Sequence, residues 1–259
     1  MKLKIISICL IIASISCKKE KKADAEPLPP DTSKGTLKID FEHLVDASPL
    51  VFNQKYVSPK GDTFQISKFN YFISNIMITK NDNSTFAEAD SYHLIFHSDP
   101  ASKIINLVNV PAGSYKSISF MLGIDSTTNA SGIKTGALDP AGIAAGMYWT
   151  WNTGYIFMKL EGISPKSNDV NKSIQYHIGG YGGVNKTQRN FTFSFGLTTA
   201  NVSGTATPYI HLVTNLNEVF KTPTLIDFTT QYSQVAVGSG AKIFADNYSD
   251  MITFKSVQN

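Results

Sequence analysis

Gly146-Met147-Tyr148-Trp149-Thr150-Trp151-Asn152-Thr153-Gly154-Tyr155-Ile156-Phe157-Met158-Lys159-Leu160-Glu161-Gly162 holds both tryptophans of the chain, and a glycine marks each end. Extended as a strand, it alternates faces with period two. Trp149, Trp151, Tyr155 and Phe157 then share one face, and Tyr148, Ile156, Met158 and Leu160 share the other. A strand apolar on both faces belongs in the middle of a β structure. Aromatic side chains dominate cores by buried area, so the plain reading is a core strand. The sharper reading gives one indole to a binding site.

Outward from this stretch the pattern remains β. Gly35 to Val45 sets Leu37, Ile39, Phe41, His43 and Val45 on one face against Thr36, Lys38, Asp40 and Glu42 on the other. Phe64 to Thr79 is rich in aromatic and β-branched residues and long for one strand, which predicts a bend near Ser74-Asn75. Ser91 to His97, Ile104 to Val110, Tyr115 to Ile124, Ser173 to Ile178, Phe191 to Phe195, Pro208 to Thr214 and Met251 to Phe254 read as further strands. Helical pattern is confined to Asn217 to Phe220 and Ala241 to Tyr248. About ten strands and little helix predict an all-β fold, an antiparallel sandwich or barrel-like domain. Asp125 to Gly146, with its glycines and Pro140, is a long loop delivered directly into the tryptophan strand, and loops of that length usually carry function.

The N-terminus reads as a secretory signal over residues 1–16. Lys2 and Lys4 precede an apolar run from Ile5 to Ile15 that is too short to span a bilayer. Ser14-Ile15-Ser16-Cys17 resembles a lipobox, with Ser14 where leucine is usual, and Cys17 is the predicted lipidation site. Acyl chains there would anchor the protein to a membrane. Residues 17–34, rich in Lys, Glu and Pro, form a disordered tether, and residues 35–259 a single domain. The expected location is extracytoplasmic, lipid-anchored at the outer membrane or in the periplasm. Of the 23 basic and 20 acidic groups, seven and four precede residue 35, leaving 16 of each in the domain. That balance, without a basic run, lacks the electrostatic footprint of nucleic-acid binding.

With Cys17 acylated and Cys9 removed with the signal, no disulfide or thiolate metal site is available. No GxSxG and no acid pair beside a histidine accompany the fold, so a non-enzymatic role is expected. The glycine run after His177 lacks the lysine and helix of a phosphate loop. What remains is imidazole and aromatic chemistry, which suits copper or zinc. His43, on the apolar face of its strand, and His177, at a strand end before Gly179-Gly180, are the candidate ligands, able to converge beside Trp149 or Trp151. His93 and His97 stand about 13 Å apart on an extended strand and read as surface residues, as does His211.

Phe72-Ile73-Ser74-Asn75-Ile76, Val110-Pro111-Ala112-Gly113-Ser114-Tyr115, Gly123-Ile124-Asp125, Gly136-Ala137-Leu138-Asp139-Pro140, the Gly146–Gly162 stretch and Tyr176-His177-Ile178-Gly179-Gly180 occur in this order. Together they resemble the MbnP-like copper-binding proteins, relatives of MopE. The resemblance implies a β-rich extracytoplasmic protein holding one copper ion, Cu(I) or Cu(II), through histidines and a kynurenine made from tryptophan. It also implies a di-haem partner of the MbnH type, related to cytochrome c peroxidases, as the modifying agent. On this sequence the tryptophan motif falls on Trp149-Thr150-Trp151, with Trp149 favoured, and the histidines on His177 and His43. Trp151, Tyr155 and Met147 are candidate modified or supporting residues. The competing reading is a surface glycan- or protein-binding module that stacks ligands on Trp149, Trp151, Tyr155 and Tyr181. A structural lipoprotein with a plain aromatic core is the third.

Overall fold

The structure, a computed structural model, describes residues 33–152 and 154–259. The expected signal, lipidation site and most of the expected tether lie outside these residues. Ten strands of five or more residues organise the described chain: β1 (Lys34–Val45), β2 (Thr63–Lys80), β3 (Tyr92–Phe96), β4 (Ile104–Pro111), β5 (Gly113–Leu122), β6 (Met158–Ile163), β7 (Ser173–Ile178), β8 (Arg189–Ser194), β9 (Tyr209–Asn215) and β10 (Ile252–Gln258). The nine-residue helix α1 spans Ser239–Asn247. The fold is all-β, as the alternation predicts.

Two sheets face each other. In the smaller one β1 pairs in parallel with β9 and antiparallel with β4, and β10 closes on β9. In the larger one β2 is the spine. Its one edge carries β3, and its other edge carries β6 and then β5 in succession. β7 extends the sheet beyond β6, and β8 beyond β5. The seam between β6 and β5 falls at Phe72, whose N–H donates to Phe157 and whose carbonyl accepts from Gly123. Gly123, at φ +117, lies face-on to the Phe157 ring, where a Cβ would come within 3.1 Å of Cδ2. Just beyond the seam Asn75 takes φ 56 and the ladder shifts register, so the bend foreseen near Ser74-Asn75 is a bulge within one strand.

The core fills the space between the sheets. Leu37, Ile39 and Phe41 of β1 point inward against Phe69, Tyr71 and Ile73 of β2. Phe41 meets Tyr71 and Phe120 edge-on, with centroids 6.2 and 5.9 Å apart. α1 covers one end, with Phe244 against Tyr176 at 4.5 Å, and Arg189 of β8 paired with Asp246.

The tryptophan stretch is not one strand. Tyr148–Trp149 pairs with Gly154–Tyr155 as a small hairpin around a turn at residues 150–152, and β6 begins only at Met158. Asn152 and Gly154 supply turn chemistry that the aromatic content masks in a periodicity count. The predicted common face therefore breaks up: Trp149 is 5% exposed and Trp151 65%. Tyr155, Ile156, Phe157 and Met158 are all buried, because this segment passes beneath the loop before it joins the sheet.

Gly162 shows how tightly β6 meets β2. A Cβ there would sit 2.0 Å from the Gln65 carbonyl oxygen, a backbone atom that cannot swing aside. Gly162→Ala should therefore cost about 1–3 kcal/mol, the range of overpacking a filled site. Urea unfolding reads this as a lower midpoint at unchanged slope, and an unshifted midpoint would mean that the contact relaxes freely.

Candidate functional site

The pleat of β2 decides which candidate side chains meet. Residues paired directly across a sheet share a face. Asn70 pairs with Lys159, and Lys159 pairs with His177, so these three project from the outer face of the large sheet. Phe69 and Tyr71 project from the inner face, and both touch His43, with centroids 5.3 and 5.6 Å away. His43 and His177 thus lie on opposite faces of one sheet, and the convergence expected from the sequence does not occur. One ion cannot take both imidazoles.

On the outer face His177 Nε2 lies 2.8 Å from Glu161 Oε1, a diagonal cross-strand contact. Lys68 and Lys159 approach the same carboxylate at 3.1 and 3.5 Å. Burial raises the Glu161 pKa, but the hydrogen bonds from Lys68 and His177 outweigh it and leave the carboxyl below its usual range. Burial lowers the His177 pKa despite the Glu161 contact that works against it, and the ring's Nδ1 has no hydrogen-bond partner among the described residues. Lys159 Nζ also donates to the Gly146 carbonyl at 2.9 Å and ties the end of the long loop to this face.

Trp149 packs on the chain just beyond His177, at a glycine. Gly179 follows β7 two residues after His177, in phase with it. A Cβ on Gly179 would come within 2.8 Å of Trp149 Cζ3 and 2.4 Å of the Tyr155 carbonyl oxygen. The indole occupies the space that the missing side chain leaves. Trp151 tilts against Trp149 with centroids 5.6 Å apart and remains open to solvent. Asn129 is buried beside Gly154, the cross-strand neighbour of Trp149, and its Nδ2 has no acceptor.

Tyr155 and Met147 serve the loop and the core. The Tyr155 hydroxyl donates to the Leu138 carbonyl and accepts from Lys134 N–H, and its own N–H donates to Asn129 Oδ1. Met147 is fully buried in the apolar core. The loop itself includes a short helix, Ser126–Ala130, capped by Asp125, whose carboxylate accepts from Thr128 N–H and from the Tyr92 hydroxyl.

The inner face holds a pair the sequence did not reveal. His43 Nδ1 and His97 Nδ1 are 3.0 Å apart, and His43 Nε2 lies 2.9 Å from the Tyr71 hydroxyl. Tyr71 continues to Thr214 Oγ1 at 3.1 Å. His97 is therefore half-buried and partnered, not a surface residue. The available signal was phase: His97 alternates with Ile95, which is fully buried opposite Tyr71. His93 pairs with Glu88 at 2.7 Å, and His211 with Asp40 at 3.2 Å. Among the described residues no group of three or more His, Cys, Asp or Glu is arranged to hold one metal ion.

A family model for MbnP matches residues 34–238. The chain belongs to the MbnP family. Among solved structures it is similar to MbnP from Methylosinus trichosporium, with a TM-score of 0.53 at 12% identity over 78% of this chain and 82% of that one. At that identity the likeness is one of fold. No curated protein matches the chain.

Burial and the neighbouring His97 and Lys103 charges hold the His43 pKa well below its ordinary value. An unfolded histidine titrates near about 6.5. Between the two values the unfolded chain binds a proton that the folded chain refuses, so stability falls as pH drops below that point. Above it His43 contributes no slope. In metal-free protein the urea midpoint should decline from about pH 7 to about pH 5, and His43→Gln should flatten part of that decline. Equal slopes in the two proteins would show that His43 is not the titrating group.

Proposed function

We propose that this protein is an extracytoplasmic, non-enzymatic copper-binding member of the MbnP family, with its copper site on the outer face around His177, Trp149 and Trp151. The observation that carries the reading is the Trp149 indole seated on Gly179, in phase with His177. The two motifs that carry the family resemblance thereby touch at Gly179.

The residues present supply part of a copper donor set. His177 offers Nδ1, with Glu161 fixing the ring from Nε2, the arrangement that orients metal-bound histidines. The indoles offer no nitrogen lone pair, since the indole N–H is a donor only. Oxidation of Trp149 would supply one. Two peroxide equivalents open the C2–C3 bond, leaving N-formylkynurenine and two waters, and hydrolysis then releases formate and an aryl amine. The oxidant acts through the di-haem partner implied by the family. Asn129 Nδ2, buried without an acceptor beside Gly154, is suited to the ketone oxygen this creates. Trp151, 65% exposed and tilted on Trp149, is the outward contact through which oxidising equivalents would pass. A lipid anchor at Cys17 would hold the domain at a membrane.

The exposed Trp151 ring also favours a second reading, a surface module that stacks a sugar ring. Copper-independent binding on a glycan array would support it.

Protein purified from its native host should carry copper. Trypsin should release Thr135–Lys159 from it with the mass of a kynurenine at Trp149. Glu161→Gln should weaken copper binding about 10- to 100-fold, as loss of a ligand's orienting partner does. An unmodified peptide in every preparation would remove the kynurenine, and His177→Ala protein that retains full copper would remove the site.

A further inference from the structure

The outer face of the large sheet carries a further feature, a cleft of about 320 Å³ that the copper reading leaves unused. Its floor is built across neighbouring strands. Asn70 of β2 pairs with Lys159 of β6 on one side and with Phe96 of β3 on the other, so these side chains share one face. Lys68, two residues before Asn70 on the same strand, stands in phase with it. Gly146, at the end of the long loop, and Phe52 close the sides.

Asn70 is the unusual member. It is 8% exposed, yet its carboxamide has no hydrogen-bond partner among the described residues. A buried amide held in this way costs stability unless something accepts its protons. The charged groups in the lining are both ammonium groups, and no carboxylate joins them there. Lys159 donates to the Gly146 carbonyl and reaches Glu161, while Lys68 reaches Glu161 alone. An ammonium has three protons to give, so Lys68 keeps donors for a ligand. The two lysines share the single Glu161 carboxylate, which leaves the cleft cationic.

We infer that this cleft binds a small organic monocarboxylate, which takes hydrogen bonds from Asn70 and the lysines and rests its apolar body against Phe96 and Phe52. The donors call for an acceptor-rich anion. Two ammonium groups held by one carboxylate match a monoanion, and a phosphate dianion would overcompensate them. Phe52 and Phe96 are only half-buried, and an anion without a carbon body would leave their rings facing water. The volume lies at the small end of ligand pockets and suits one ring or a short chain. Gly146, at φ +73, keeps the lysine reachable, since a Cβ there would lie 3.6 Å from Lys159 Nζ. The inference does not rest on copper, although both lysines reach the Glu161 that holds His177.

The test titrates metal-free protein with phenylacetate and follows the side-chain amide resonances of Asn70 by NMR. Acetate removes the ring, 2-phenylethanol removes the charge, and inorganic phosphate replaces the carboxylate. Phenylacetate should shift the Asn70 amide to saturation and bind at least about tenfold tighter than any of the three, because each lacks one kind of contact. Lys68→Gln, at a half-exposed position, should weaken phenylacetate about 10- to 100-fold, the worth of a hydrogen bond to a charged group. Asn70→Asp keeps the side-chain shape, sets a carboxylate of the protein beside the ammonium groups and should abolish binding. Wild-type affinity in either variant, or an unmoved Asn70 amide, would overturn the inference and leave Asn70 a hydrated amide. Binding of 2-phenylethanol as tight as that of phenylacetate would reduce the cleft to an apolar groove. Tighter binding of phosphate would make it a general anion site, and either result would remove the monocarboxylate.

Discussion

Strand β2 pairs with neighbours on both edges through its middle, so its pleat is fixed and adjacent residues point to opposite sides of the sheet. Phe69 and Tyr71 reach into the core, while Lys68 and Asn70 face outward. Every functional side chain is sorted by that alternation. His43, His97, Tyr71 and Thr214 gather on the inside; His177, Glu161 and Lys159 gather on the outside, and Trp149 joins them over Gly179. The seam at Phe72, where β6 gives way to β5 along one edge, brings Phe157 and the tryptophan hairpin to this same strand. The sheet is thus both the scaffold of two polar places and the wall between them.

The two places solve the burial of an imidazole differently. His177 sits at a half-open surface, where the Glu161 carboxylate offsets part of what burial costs and Lys68 and Lys159 work against it. His43 has no carboxylate and is 4% exposed, so it survives as a neutral ring whose nitrogens are both engaged. A buried polar chain of this kind is stable only while each member has a partner. That explains why the sequence tolerates a histidine on the most apolar face of β1. Position 43 has the alternation of a core residue and the chemistry of a ligand.

Much of this was legible in advance. Alternation in Gly35 to Val45 and in Ser173 to Ile178 named the inward residues, and the bend at Ser74-Asn75 followed from strand length. The family resemblance pointed to Trp149 and His177, and Trp149 packs on Gly179 two residues beyond that histidine. Two features escaped. The hairpin at 148–155 hides because its turn is short and its flanks are aromatic, so period-two counting runs through it. The His43–His97 contact joins residues 54 apart, on two different sheets, and no local pattern encodes such a meeting. The spacing from His93 to His97 says nothing about which face either takes, whereas the phase of His97 with buried Ile95 points inward.

His43 and His177 stand on opposite sides of one sheet, so an ion held by His177 cannot also take His43. Native mass spectrometry of Cu(I)-loaded protein from the original host tests it most directly. One copper ion per chain is expected, lost in His177→Ala and retained in His43→Gln. Copper lost equally in both variants would mean that the two imidazoles share one site and would contradict their separation by the sheet.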